Sequence, residues 1–153
     1  MQYWLFKSEP NTFSIDDLIA APKQTTHWEG VRNYQVRNFL RDDIKVGDQV
    51  FFYHSNCTPP GITGIAEVVK AGYPDDSALD KKSKYFDPKS SPDNPIWYQV
   101  DVRFVKKFPE IVSLEKLKSL PALKNMQLTR KGNRLSITKV TADEWNFIGS
   151  HFK

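Results

Sequence analysis

A chain of 153 residues, 39% hydrophobic and 26% charged, is long enough for a single domain (residues 1–153) with a real core and too apolar for wholesale disorder. Its net charge of +4 permits nucleic-acid binding without demanding it, while the 13% aromatic share exceeds what a core of this size needs. The single cysteine, Cys57, excludes an internal disulfide, no apolar run approaches the ~18 residues that span a bilayer, and MQYWLFKSEP is no secretory leader, so the expectation is a cytoplasmic protein without membrane association.

Residues 2–6 read as a first strand, short and aromatic, stopped at Pro10. Ser14 and Asp17 have capping-box spacing and start a helix that buries Ile15, Leu18 and Ile19 and ends at Pro22. Asn33 caps a second helix, with Val36, Phe39 and Leu40 inward and Tyr34, Arg37, Asn38 and Arg41 outward. Gly47-Asp48 turns the chain into a strand over 49–55, in which Phe51, Tyr53 and Ser55 share one face and Val50, Phe52 and His54 the other. Pro59-Pro60-Gly61 leads to a returning strand over 62–70, making a hairpin. Residues 71–95 are rich in Pro, Asp, Ser and Lys yet hold Tyr73, Tyr85 and Phe86; a loop of this length is either functional or a surface excursion. A strand over 97–105 follows, then a helix capped by Ser113 with Leu114, Leu117 and Leu120, a last strand over 134–138, and a terminal helix with a Thr141/Glu144 capping box that buries Trp145, Ile148 and Phe152. Strands and helices do not alternate regularly. That predicts an α+β fold with a curved, mostly antiparallel sheet or small barrel flanked by short helices.

Several chemistries drop out. His27, His54 and His151 are far apart and Cys57 has no CxxC partner, so no metal site or cofactor is expected. His54 and Ser55 are strand neighbours on opposite faces and cannot pair for nucleophilic catalysis. Gly61-Ile62-Thr63-Gly64 lacks the Lys-Ser/Thr of a phosphate loop. Glu9, Glu29 and Asp87 are isolated acids that no spacing marks as a base.

Recognition of a nucleobase needs an aromatic face, hydrogen-bonding groups for the base edge and cations for phosphate. Trp28, Tyr53, Tyr85 and Trp97 offer faces; Ser8, Glu29, Asn33 and Asn56 offer edge partners; Lys7, Arg32, Arg37 and Arg41 offer charge. Plainer readings stand beside these: Trp28 is partly buried in any fold, Phe51 and Phe52 are core, Tyr53 is as readily core as pocket, Arg41 is solvated and Trp145 is core.

The blocks WLFKSEP (4–10), WEGVRNYQVRN (28–38), Gly47-Asp48, FYHSN (52–56), GITGIAE (61–67), YPD (73–75), YFD (85–87) and WYQVDV (97–102) resemble, in order and over essentially the whole chain, the EVE domain family. That resemblance implies a PUA-like fold related to the YTH domain, and non-enzymatic binding of DNA or RNA carrying a modified base such as methylated or oxidised cytosine. It implies a ligand pocket bordered by Lys7, Ser8, Trp28, Asn33, Tyr53, His54, Ser55 and Asn56. Arg37 is added from its place on the helix rim, and Glu9, Arg32, Tyr85 and Trp97 as the pocket rim. In this picture the 53–56 strand end faces Trp28 across the ligand. Val36 stands where the family often has Ala, a core-facing change. The short chain, with no basic tail, is similar to stand-alone bacterial members, and a monomer or weak dimer is expected. Two other functions remain: a general RNA-binding or partner module without base selection, and an enzyme acting on a modified nucleotide through an acid such as Glu9 or Asp87.

Overall fold

The computed structural model describes residues 1–132 and 134–151. Among them are six strands, β1 (Tyr3–Ser8), β2 (Thr25–His27), β3 (Gln49–His54), β4 (Gly61–Pro74), β5 (Tyr98–Ser113) and β6 (Ile137–Val140). Four α-helices accompany them: α1 (Ile15–Ala20), α2 (Tyr34–Asn38), α3 (Leu114–Lys118) and α4 (Ala142–His151). The strands form one open sheet in the order β2-β5-β4-β3-β1-β6. Every neighbouring pair is antiparallel except β1 and β3, which run parallel. This is the α+β, mostly antiparallel architecture that the sequence predicts. Register shifts between Phe52 and Tyr53 and at several points along β4–β5 bend the sheet, as bulges do.

Strand alternation sorts the core into two layers. Trp4, Phe6, Val50 and Phe52 face α1 and α2, where Ile15, Leu18, Val36 and Leu40 complete the packing. Leu5, Phe51, Tyr53 and Ile62 face the other way, against Leu117, Leu123 and Ile148 from the α3–α4 side. Trp145 is half-buried and stacks on Tyr3 and Phe51, at 4.7 and 4.0 Å between ring centroids.

The helix starts lie where their caps put them. Ser14 and Asp17 bond reciprocally at α1, Asn33 accepts the Val36 N–H, Ser113 accepts the Lys116 N–H, and Thr141 and Glu144 form the box before α4. α2 runs on into a π-type turn over Phe39–Asp43. Gly61 and Gly64 lie in β4 with no room for a Cβ against the β5 backbone at Val112 and Lys106, so the GxxG pattern serves close strand approach.

The structure also departs from the sequence expectation. β2 is three residues long, too short to show a period. The 71–95 segment is partly absorbed by β4, which runs to Pro74, and by a single helical turn at Asp76–Ala78. The last strand lies at Ile137–Val140, paired to β1, rather than at 134–138. Phe152 lies outside the described residues. Among those described, no helix is long and apolar enough to cross a membrane.

Candidate nucleic-acid interface

Beyond β2 the chain continues the ladder for one residue, the Trp28 N–H donating to the Val100 carbonyl at 2.7 Å. The Trp28 indole packs on Phe6 and Phe52, at 5.1 and 5.6 Å between centroids, and remains 9% exposed. That exposed margin borders a cleft of about 620 Å³. Gly30 then turns the chain at φ +81, a conformation L side chains rarely adopt, and a Cβ there would lie 2.6 Å from the Tyr85 ring. The fully buried Asp75 side chain holds the turn. One of its oxygens accepts from the Gly30 N–H at 2.9 Å and from Arg32 Nη1 at 3.2 Å, while the other accepts from the N–H and hydroxyl of Ser77.

Arg32 links this turn to the 71–95 segment. Its guanidinium lies between the Tyr85 and Trp97 rings, at 5.7 and 5.2 Å, and donates to the Tyr85 carbonyl at 2.5 Å. Tyr85 thereby becomes one wall of the cleft, with Lys84 Nζ 5.0 Å from its ring centre. The opposite wall is Lys7, Ser8, Glu9, Thr12 and Phe13. Burial pushes the Lys7 ammonium below its ordinary pKa. The Ser8 hydroxyl donates to the Phe13 carbonyl at 2.6 Å, which fixes the bend of that wall. At the β2 end, His27 Nδ1 lies 2.7 Å from Asp101 Oδ1 and 2.9 Å from the Tyr73 hydroxyl, which itself donates to Asp101. Burial, then the Asp101 carboxylate, pushes the Tyr73 hydroxyl well above its ordinary range. The Asp101 carboxylate at Nδ1 orients the ring, with Nε2 on its far side.

Of the residues assigned from sequence, Lys7, Ser8, Trp28, Glu9, Arg32 and Tyr85 line this cleft. The 53–56 strand end does not, which corrects its place opposite Trp28. Tyr53 is 3% exposed and belongs to the other core layer with Leu5 and Phe51, because alternation along β3 turns it away from Phe52 and Trp28. Its burial raises the phenol pKa to about 12. His54 Nε2 accepts the Ile15 N–H at 3.0 Å, Ser55 N–H donates to the Ser8 carbonyl at 2.9 Å, and Asn56, at φ +51, donates to Glu9 Oε1 at 2.5 Å. These residues brace the wall at Ser8–Phe13 from behind. Asn33 sits in a neighbouring depression, its side-chain oxygen engaged in capping α2. Arg37 donates to the Ile96 carbonyl and to Asn38. Trp97 is buried behind Arg32, its indole N–H donating to Asp87 at 2.6 Å, and that bond holds the Asp87 carboxyl below its ordinary pKa.

The EVE domain matches residues 2–151. The chain belongs to the EVE domain family. It is 47% identical to human thymocyte nuclear protein 1 over 163 residues, which cover 95% of this chain and 72% of that protein. A Pseudomonas putida protein has a crystal structure at TM-score 0.91 and 47% identity, covering 97% of each chain. Human THYN1 in complex with 5-methylcytosine-containing DNA aligns at TM-score 0.91 and 46% identity, over 98% of this chain and 96% of that one.

Sequence reasoning misses two constellations of this EVE domain. His27, Tyr73 and Asp101 are widely separated in the chain and meet only because His27 pairs with Asp101 in the β2–β5 register while β4 brings Tyr73 alongside. Asp75 stands in a motif that carries the resemblance, but its role appears only once Gly30, Arg32 and Ser77 converge on it.

Proposed function

We propose that this EVE domain binds DNA by taking a modified base, cytosine methylated or oxidised, into the cleft beside Trp28, and does not transform it. The observation that carries the reading is the cleft itself. It joins aromatic walls at Trp28 and Tyr85 to Lys7, Ser8 and Arg32, and its volume lies within the ~300–1,000 Å³ of small-molecule pockets. The complex of human THYN1 with 5-methylcytosine-containing DNA supports the choice of base and polymer. A base drawn out of a duplex costs a few kcal/mol of unstacking, which stacking on aromatic rings at ~1–3 kcal/mol per base and hydrogen bonds to its edge offset. Lys7 suits the base edge: partly desolvated, it bonds a carbonyl or ring nitrogen more strongly than a solvated ammonium does. A lone reduced thiol at Cys57 agrees with action in the cytoplasm.

The test is titration of oligonucleotides that differ only in one modified or plain cytosine, followed by Trp fluorescence. Tighter binding to the modified strand is expected, with that preference lost in Trp28→Ala. Equal affinity for all strands, governed by salt alone, would sink base reading and leave the general nucleic-acid module.

One observation favours turnover instead: His27, held by Asp101 and Tyr73 at the cleft, is placed as an oriented base. Mass spectrometry of modified nucleotides after incubation decides between them. Product that disappears in His27→Gln would replace the binding reading, and unchanged nucleotide retires the enzyme.

A further inference from the structure

Beside the cleft lies a second depression of about 470 Å³, lined by Asn33, Arg130, Lys131, Gly132, Arg134 and Leu135 among others. The two concavities share a wall. Val31 and Arg32 line the first and Asn33 the second; Leu135 lines the second and Ser136 the first. Residues adjacent in the chain thus line both hollows, which places the two side by side.

The two arginines of the second depression, Arg130 and Arg134, differ from the other four arginines of the chain. Arg32, Arg41, Arg103 and Lys107 are each paired with a carboxylate, and Arg37 is committed to the Ile96 carbonyl and Asn38. Arg130, Lys131 and Arg134 are exposed, and among the described residues no carboxylate pairs with any of them. Three unpaired cations within five residues repel one another, which works against the fold and attracts an anion. A positive φ at Gly132 turns the chain in their midst, with open space around it. Arginine and lysine side chains on an exposed turn suit phosphate oxygens.

We propose that this depression carries the phosphates of the strand whose base enters the Trp28 cleft. Arg130, Lys131 and Arg134 are its backbone contacts. The inference rests on the reading of the first cleft as a base pocket and assigns the second a separate task, affinity without base selection.

The experiment measures binding of an oligonucleotide with a single 5-methylcytosine, and of its plain counterpart, between 50 and 200 mM salt. It compares the wild-type chain with the Arg130→Gln/Lys131→Gln/Arg134→Gln variant. Each phosphate contact contributes about 0.7–0.9 to the slope of log affinity against log salt, so loss of three lowers the slope by about 2–3. The preference for the modified strand stays as in wild type. A second variant, Lys116→Gln/Lys118→Gln/Lys124→Gln, removes the same charge at exposed positions on and just after α3 and keeps the wild-type slope. An unchanged slope in the first variant, or an equal drop in both, overturns the phosphate track. If the wild-type protein shows no preference for the modified strand while the first variant alone loses slope, the base pocket fails and the track stands.

Discussion

The segments 28–32 and 53–56 look alike in sequence, each mixing aromatic and polar residues at the end of a strand, yet they do opposite work. The first leaves edge strand β2, escapes the ladder after one bond and turns at Gly30, so Trp28 and Arg32 line the cleft. The second ends a strand flanked by β1 and β4, with core on both faces. There alternation sends Tyr53 into the far layer, and the polar groups of His54 and Asn56 are taken up by Ile15 and Glu9. Composition marks where polar and aromatic groups collect. Position in the sheet decides whether they line the cleft or brace the loop that does.

The sharpest way to break that contrast is a pair of aromatic substitutions. Trp28→Ala removes a ring packed on Phe6 and Phe52, and unfolding in urea is expected to show a loss of about 3–5 kcal/mol. In protein still folded, affinity for the modified strand falls by the ~1–3 kcal/mol of one base stack. Tyr53→Phe keeps the buried ring and leaves that affinity within about twofold; a large loss there would return Tyr53 to the pocket. Next in size is Asp75→Asn. It leaves Arg32 without its charged partner and the Gly30 turn short of an acceptor, costing about 3 kcal/mol and the preference for modified base. Gly30→Ala ranks third. The left-handed backbone alone costs about 1–2 kcal/mol, and the new methyl displaces the Tyr85 ring, so the preference for modified base weakens as well. Gly132→Ala carries a similar backbone cost at φ +80 in open space, and thermal melts with parallel titrations should show lost stability with the preference intact.

The helix starts and the sheet alternation are legible in the sequence because both are local. A Ser14–Asp17 spacing or a run such as 49–55 needs no knowledge of distant partners. The parallel β1–β3 pairing and the short β2 are not local: each is stabilised by contacts across the chain, and three residues cannot display a period. The site divides in the same way. Trp28, Arg32, Lys7 and Tyr85 declare themselves by residue type, since aromatic and cationic groups exceed what a core requires. His27 with Asp101 and Tyr73, or Asp75 beneath Gly30, exist as sites only through register. Tyr53 reads equally as core or pocket from its own surroundings, and only the cover on the far face, which no local pattern displays, buries it.

The smallest expected effect isolates the bracing role of 53–56. The His54 imidazole meets Phe52 edge to face, 5.7 Å between centroids, and its Nε2 must be unprotonated to accept the Ile15 N–H. Burial lowers its pKa from the ordinary ~6.5. Asp16 and Asp17 pull it back up in part, while Lys107, paired with Asp16, pushes it further down. Above pH ~6.5 both folded and unfolded chains carry neutral His54, and its contribution to stability is complete. As pH falls through ~6.5 the unfolded chain takes up a proton that the folded chain refuses, so stability declines until pH reaches the lower folded pKa and then levels off. His54→Gln cannot titrate, so urea unfolding between pH 5 and 8 should show a flatter profile than wild type. The affinity of the folded variant for the modified strand at pH 8 should stay close to wild type, because His54 acts through the start of α1 and not through the ligand. A large loss of affinity at unchanged stability would place His54 in the cleft and erase the distinction between the two segments.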